Sequence, residues 1–305
     1  VILVPLHLAA RHGRLLLVAG LLAGLTLPAL ASEVRDVLPA LVGGILFLAA
    51  LRIGPRAALG NLGDIRRTLA LSAVFQLVLP LTALGLATAL GVADRPLALG
   101  LILMLTAPSI TGSPNFSALM GYDPAPPMRL LALGTALFPL TALPILWGLP
   151  TLGDPSEVIA AALRLLVVIF GATGAGFALR ALLPPLAPDR IRALDGLSAI
   201  ALAVLVVGLM SALGPALLDT PARVLGWLAI ATAANLGLQV AAWALGLKPG
   251  ESLVAGNRNI ALFLVALPPE TTAPLLIFIG CYQVPMYLTP YLMAPLYNRA
   301  RASSV

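Results

Sequence analysis

The chain has 305 residues, 60% of them hydrophobic and only 10% charged, where a soluble domain carries about 25% charge. With a mean hydropathy of +1.03 it cannot cover a water-facing surface, which excludes an ordinary soluble domain and points to an all-α, polytopic membrane protein. The net charge of +6 is not a nucleic-acid signature, because the basic residues sit in short loops between apolar runs. Cys281 is the only cysteine, which excludes a disulfide framework or a metal finger, and no metal or cofactor is expected. The first residue is Val rather than Met, as in a truncated chain or one begun at an alternative codon.

A transmembrane helix needs about 20 largely apolar residues. Charged and Pro/Gly-rich breaks give ten such segments, at roughly 14–31, 37–51, 68–91, 96–120, 128–149, 158–180, 194–217, 222–246, 252–268 and 273–297. His7 and His12 precede the first and are expected at the membrane interface. That first segment, "RLLLVAGLLAGLTLPALAS", also has the form of a cleavable signal peptide, and cleavage would leave nine spans. Loop charges alternate along the chain. One set holds Arg11, Arg14, Arg52, Arg56, Arg66, Arg67, Arg129, Arg180, Arg190, Arg192, Lys248, Arg299 and Arg301. The other holds only Arg35, Arg95 and Arg223, together with acids such as Glu33, Asp36, Asp154 and Glu270. The positive-inside rule then puts both termini in the cytoplasm of a plasma or inner membrane, as an even span count requires.

Ten spans divide into two sets of five, 1–149 and 150–305. An odd number per half inserts the halves with opposite topology, the inverted-repeat plan of many secondary transporters. The fourth segment of each half is unusual. One reads "LTAPSITGSPNFSALMGYDPAPP" and the other "LVAGNRNIALFLVALPPE". Each carries G-x-x-N, from Gly112 to Asn115 and from Gly256 to Asn259, with Pro-rich residues beyond. Pro108 and Pro114 lack an N–H, so the helix is expected to open near them. Opened backbone at membrane depth persists only where protein or a water-filled cavity satisfies it. Kinks and packing glycines are the plainer reading of either segment alone. Two at matching positions point to a binding site.

On these residues the chain resembles the bile acid:sodium symporter family and the wider group that includes arsenite and auxin carriers. The matching residues are Pro108, Thr111, Ser113 and Asn115 in span four, Gly256, Arg258 and Asn259 in span nine, and Gln76 with Pro80 in span three. The resemblance implies ten helices in two inverted repeats, with broken helices four and nine crossing at mid-membrane. It also implies a panel of spans 1, 2, 6 and 7 facing a core of spans 3–5 and 8–10, and transport of a small solute by alternating access. The departures concern sodium. Val254 stands where the family has a glutamate, Arg258 where it has a glutamine, and Pro127 and Leu131 where it has hydroxyls, leaving Thr135 nearest. Span four also has one extra residue between its proline and asparagine.

A guanidinium is a permanent cation, and a second cation beside it is repelled. Sodium is therefore not expected at the usual place. Three roles for Arg258 remain open: a built-in cation bracing the opened carbonyls of span four and Asn115, a contact for an anionic substrate, or a salt bridge with Glu251. Candidate ligands for substrate or ion are Gln76, Thr111, Ser113, Asn115, Thr135, Asn257, Arg258 and Asn259. Arg164, the other charge within a span, is expected to anchor near the external end. Tyr282 and Gln283 suit either a cavity wall or packing. The spans contain no His, no close Asp pair and no second Cys, so an enzyme is not expected. The expected partners are the bilayer and an amphipathic, anionic small molecule. A sodium symporter with a shifted ion site, a channel and a non-transporting sensor are the alternatives.

Overall fold

The computed structural model describes residues 3–55, 65–149, 152 and 154–302, with side chains at all of these except 14 and 299–302. Arg56 and Pro150, the latter at the expected junction of the halves, lie outside the described residues, as do the side chains of Arg14, Arg299 and Arg301. The described chain is helical. In order it forms α1 Leu3–Arg11, α2 Gly13–Thr26, α3 Pro28–Asp36, α4 Leu38–Ile53 and α5 Ile65–Ala89, then α6 Pro96–Thr106, α7 Ser113–Leu119 and α8 Ala125–Trp147. It continues as α9 Pro155–Leu182, α10 Pro188–Leu209, α11 Leu213–Asp219, α12 Pro221–Ala244, α13 Pro249–Gly256, α14 Phe263–Ala266, α15 Pro269–Thr272 and α16 Leu276–Ala302.

Six helices are long and apolar enough to cross a membrane, or eight if two bent pairs each count as one span. These are the proportions of an integral membrane protein. The pairs are α1 with α2, bent by 87°, and α3 with α4, bent by 69°. The expected first span, 14–31, is cut at Leu27 (φ −119°, ψ 70°), because Pro28 drives the residue before it out of the helical region. The expected segments 96–120 and 252–268 are not continuous helices. Residues 107–112 separate α6 from α7, and Asn257–Asn259 follow α13 before a tight 3₁₀ turn, Ile260–Leu262.

The chain forms two compact units. The first comprises Val1–Gly60, Leu163–Pro221 and Ala261–Gly280. In it α1–α4 pack around α10. Glycines allow the close approach: a Cβ on Gly24 would lie 2.5 Å from Met210 Cβ and 2.8 Å from the Val207 carbonyl oxygen. Arg52 pairs there with Asp195. Arg164 donates to the Ala266 carbonyl at 3.2 Å, at the end of α14. The second unit comprises Asn61–Ala162, Ala222–Ile260 and Cys281–Val305. Residues 261–280 group with the first unit.

Gly24→Leu is expected to lower stability by about 1–3 kcal/mol through overpacking. Gly44→Leu, where an added Cβ meets no atom within 4 Å, is expected to leave the melting midpoint unchanged. Thermal melts of the two purified variants compare them directly.

Candidate functional site

The second unit brings the two interrupted helices together. Helix α6 stops at Thr106 because Ala107, placed before Pro108, is extended (φ −61°, ψ 147°). Helix α13 stops at Gly256, and Asn257 is extended (φ −104°, ψ 97°). The two extended stretches then pair. Ser109 and Arg258 form an antiparallel β-bridge, in which the Ile110 amide donates to the Asn257 carbonyl at 3.2 Å and the Asn259 amide to the Pro108 carbonyl at 2.8 Å. Backbone groups lost to the helices are thereby satisfied by each other.

Arg258 is only 1% exposed. Its Nε donates to the Ala255 carbonyl at 3.0 Å, Nη1 to the Ala107 carbonyl at 3.2 Å and Nη2 to the Phe75 carbonyl at 3.4 Å. The guanidinium carbon lies 4.9 Å from the centroid of the Phe75 ring, within cation–π range. Each carbonyl is available for a local reason. Ala107 follows the last turn of α6. Ala255 lies in the last turn of α13, and its helical donor, the Asn259 amide, is in the bridge. Phe75 lies in a π-helical turn, Val74–Val78, where the Leu79 amide reaches back to Val74 instead of Phe75. The next residue, Pro80, has no N–H to offer. The Phe75 carbonyl is left without a helical donor, and Arg258 supplies one. The carbonyl ends of α6 and α13 both meet the guanidinium, so their helix dipoles favour its charge.

Tyr282, from α16, completes the tie. Its hydroxyl donates to the Gly256 carbonyl and accepts from the Arg258 amide at 2.8 Å. A second group of buried polar residues lies behind Gly256. Asn235 Nδ2 donates to the Gly256 carbonyl at 2.7 Å, and Thr289 Oγ1 to Asn257 Oδ1 at 3.1 Å. Gln239 Nε2 donates to Asn235 Oδ1 at 2.9 Å. Asn257 Nδ2 returns to the Leu253 carbonyl at 2.9 Å. All four side chains are fully buried, and Gln239 Oε1 has no hydrogen-bond partner. Gly256 has no room for a side chain, since a Cβ there would overlap the Asn235 carbonyl oxygen.

The other expected residues fall in different places. Gln76 is buried in the π turn, takes a hydrogen bond from Thr141 at 3.0 Å and lies against Gly134. Ser113 is buried and accepts from Ser109 Oγ at 2.8 Å. Thr135 is buried on α8, while Thr111, Gly112 and Asn259 are half-buried. One expectation needs correction. Asn115 is exposed and makes no hydrogen bond to Arg258, because Ser113–Leu119 is helical and carries its side chain outward. The helix opens at 107–112, near Pro108 and Pro114, and Pro114 stands at the edge of that opening. It sits in the first turn of α7, where its missing N–H costs nothing.

The salt bridge between Glu251 and Arg258, one of the three roles left open for Arg258, does not form. Glu251 is held by Arg67 of α5 through two contacts of 2.7 Å and caps α13 by accepting the Lys248 amide at 3.0 Å. Asn235, Gln239, Thr289 and the Phe75 carbonyl were not among the expected residues. Asn235 and Gln239, four apart within "ANLGLQV", are a legible signal: two amides on one helical face of an otherwise apolar span. Nothing in the sequence marks the Phe75 carbonyl except Pro80. Among the described residues no group of His, Cys, Asp and Glu could hold a metal ion. Cys281 is buried, its thiol 3.6 Å from the Val224 carbonyl oxygen. No model of a known protein family matches the sequence, and no curated protein does either.

Tyr282→Phe strips the Arg258 amide of its acceptor and the Gly256 carbonyl of one donor. Stability is expected to fall by about 1–3 kcal/mol. Asn115→Ala, at an exposed position, is expected to change it by less than about 0.5 kcal/mol. Parallel thermal melts check both.

Proposed function

We propose that the chain is a secondary transporter built on the plan of the bile acid:sodium symporter group, a divergent member in which Arg258 stands in place of the coupling cation. The observation that carries this reading is the pairing of two interrupted helices by backbone hydrogen bonds, with a guanidinium bound to carbonyls of α5, α6 and α13. Interrupted helices of this kind are the substrate- and ion-binding elements of inverted-repeat transporters. In this reading the halves 1–149 and 150–305 are inverted repeats of five spans, both termini are cytoplasmic, and spans four and nine cross at mid-membrane. The solute is a small organic molecule, and the apolar surroundings favour an amphipathic anion. Arg258 is structural here: its Nε, Nη1 and Nη2 already donate to carbonyls, and its burial leaves it no open face for substrate. Exclusion of sodium follows from the missing carboxylate at Val254 and from the guanidinium itself.

One observation favours a second reading, a sodium-coupled symporter with a shifted ion site. The cluster of Asn235, Gln239, Asn257 and Thr289 is rich in oxygen acceptors, and Gln239 Oε1 has no donor. Purified protein melted in sodium and in potassium at equal ionic strength separates the two. Equal midpoints are expected, and a rise specific to sodium would favour the shifted site. A carrier exchanges labelled for unlabelled solute across proteoliposomes, so counterflow is expected with an organic acid found by thermal-shift screening. Single-channel currents without counterflow would overturn transport by alternating access.

Lysine carries one compact ammonium in place of a three-nitrogen fork. Arg258→Lys is therefore expected to lower stability by about 2–4 kcal/mol, near the cost of breaking a buried charged network. Solute affinity of the folded fraction is expected to stay at the parent value. Normal melting with lost affinity would instead place Arg258 on the substrate.

A further inference from the structure

Helix α1 turns apolar side chains outward. Its inner face, against α10, holds Ala9, buried, with Leu6 and Ala10 half-buried. A Cβ on Gly196 would overlap the Leu6 carbonyl oxygen, so the backbone of α1 rests directly on α10. The outer face holds Val4, Leu8 and Arg11 at helical spacing i, i+4, i+7, and all three are exposed, Val4 by 60% and Leu8 by 53%. A helix with small residues inside and Val and Leu outside is not built to face water.

Its direction and charge name the surface it faces. Helix α1 meets α2 at 87°, so it adds almost no length along the axis of α2. With α2 along the bilayer normal, as the expected first span 14–31 would run, α1 lies in the plane of the bilayer. His7 Nε2 donates to the Asp189 carbonyl at 2.9 Å, which fixes α1 to the first turn of α10. Arg190 and Arg192 lie at that same end and are exposed. Neither they nor Arg11 has an ion-pair partner among the described residues.

We propose that α1 is an in-plane anchor for an anionic bilayer surface. Val4 and Leu8 enter the boundary between headgroups and acyl chains, while Arg11, Arg190 and Arg192 bind the phosphates of a phosphatidylglycerol-type lipid. In-plane helices seat an apolar face in this boundary layer, and arginines beside an anionic leaflet each strengthen the attachment. The proposal requires the membrane class and an α2 that runs along the bilayer normal, and is independent of any transport activity.

The test uses the full chain in nanodiscs of phosphatidylcholine, with and without phosphatidylglycerol. Nitroxide labels on Val4→Cys and Leu8→Cys report depth, since Cys281 is buried. Both labels are expected at one common depth, about 5–10 Å into the boundary. The double variant Arg190→Gln, Arg192→Gln is expected to retain phosphatidylglycerol about fivefold less per arginine removed. It should melt like the parent in pure phosphatidylcholine, which separates lost headgroup binding from lost folding. Three results would overturn the anchor. One is labels as open to water as a loop, which would leave the face to a soluble partner. Another is depths that differ by the ~6 Å rise between the two positions, the mark of a spanning helix. The third is unchanged phosphatidylglycerol retention in the double variant.

Discussion

A carbonyl or amide that leaves a helix inside an apolar environment must find another partner, and the second unit is organised around meeting that demand. Burying such a group unpaired costs on the order of 2–7 kcal/mol, depending on the reference state. Helices α6 and α13 both stop within apolar sequence, so both release several such groups at once. Two backbone hydrogen bonds between the extended stretches answer part of the demand. The side chains of Arg258, Asn235 and Asn257, with the Tyr282 hydroxyl, answer much of the rest. Polar residues that look out of place in the sequence are there because the backbone is open.

Arginine suits this position for reasons of shape. Its planar fork points several donors outward from one rigid group, and here three nitrogens meet carbonyls from α5, α6 and α13. Its charge has no carboxylate partner among these contacts. The field comes instead from carbonyl dipoles, two of them at helix C-termini, and from the face of Phe75. Glu251, the nearest acid along the chain, is spent on Arg67. Helix α13 is thus tied to α5 at both ends, through a carboxylate at its start and a guanidinium just past its finish.

Much of this was legible in the sequence. Composition and hydropathy imply a helical membrane chain, and the proline and G-x-x-N positions mark where the helix fails. Arg258 stands out because a charge within an apolar run needs an explanation. Other parts were not legible, for identifiable reasons. Asn115 looks like the counterpart of Asn259, but a motif in one dimension does not say which way a helical side chain points. The partner of Glu251 comes from a residue far away in sequence, which local spacing cannot reveal. The Phe75 carbonyl is a backbone atom and carries no side-chain signature. The cut at Leu27 shows how one proline overrides a continuous run of apolar residues.

The ties of α13 also constrain the order in which the chain can be assembled. Ribosomes deliver α5 and α6 well before α13. An isolated arginine in the centre of a lipid-exposed helix is opposed by about 2.5–3.5 kcal/mol on insertion scales, and an eight-residue helix reaches only ~12 Å. Helix α13 therefore has little prospect of entering a bilayer as an independent segment. Its acceptors at Phe75 and Ala107 and its counter-charge at Arg67 already stand in the earlier part of the chain. Helix α13 is completed on a template that α5 and α6 have laid down.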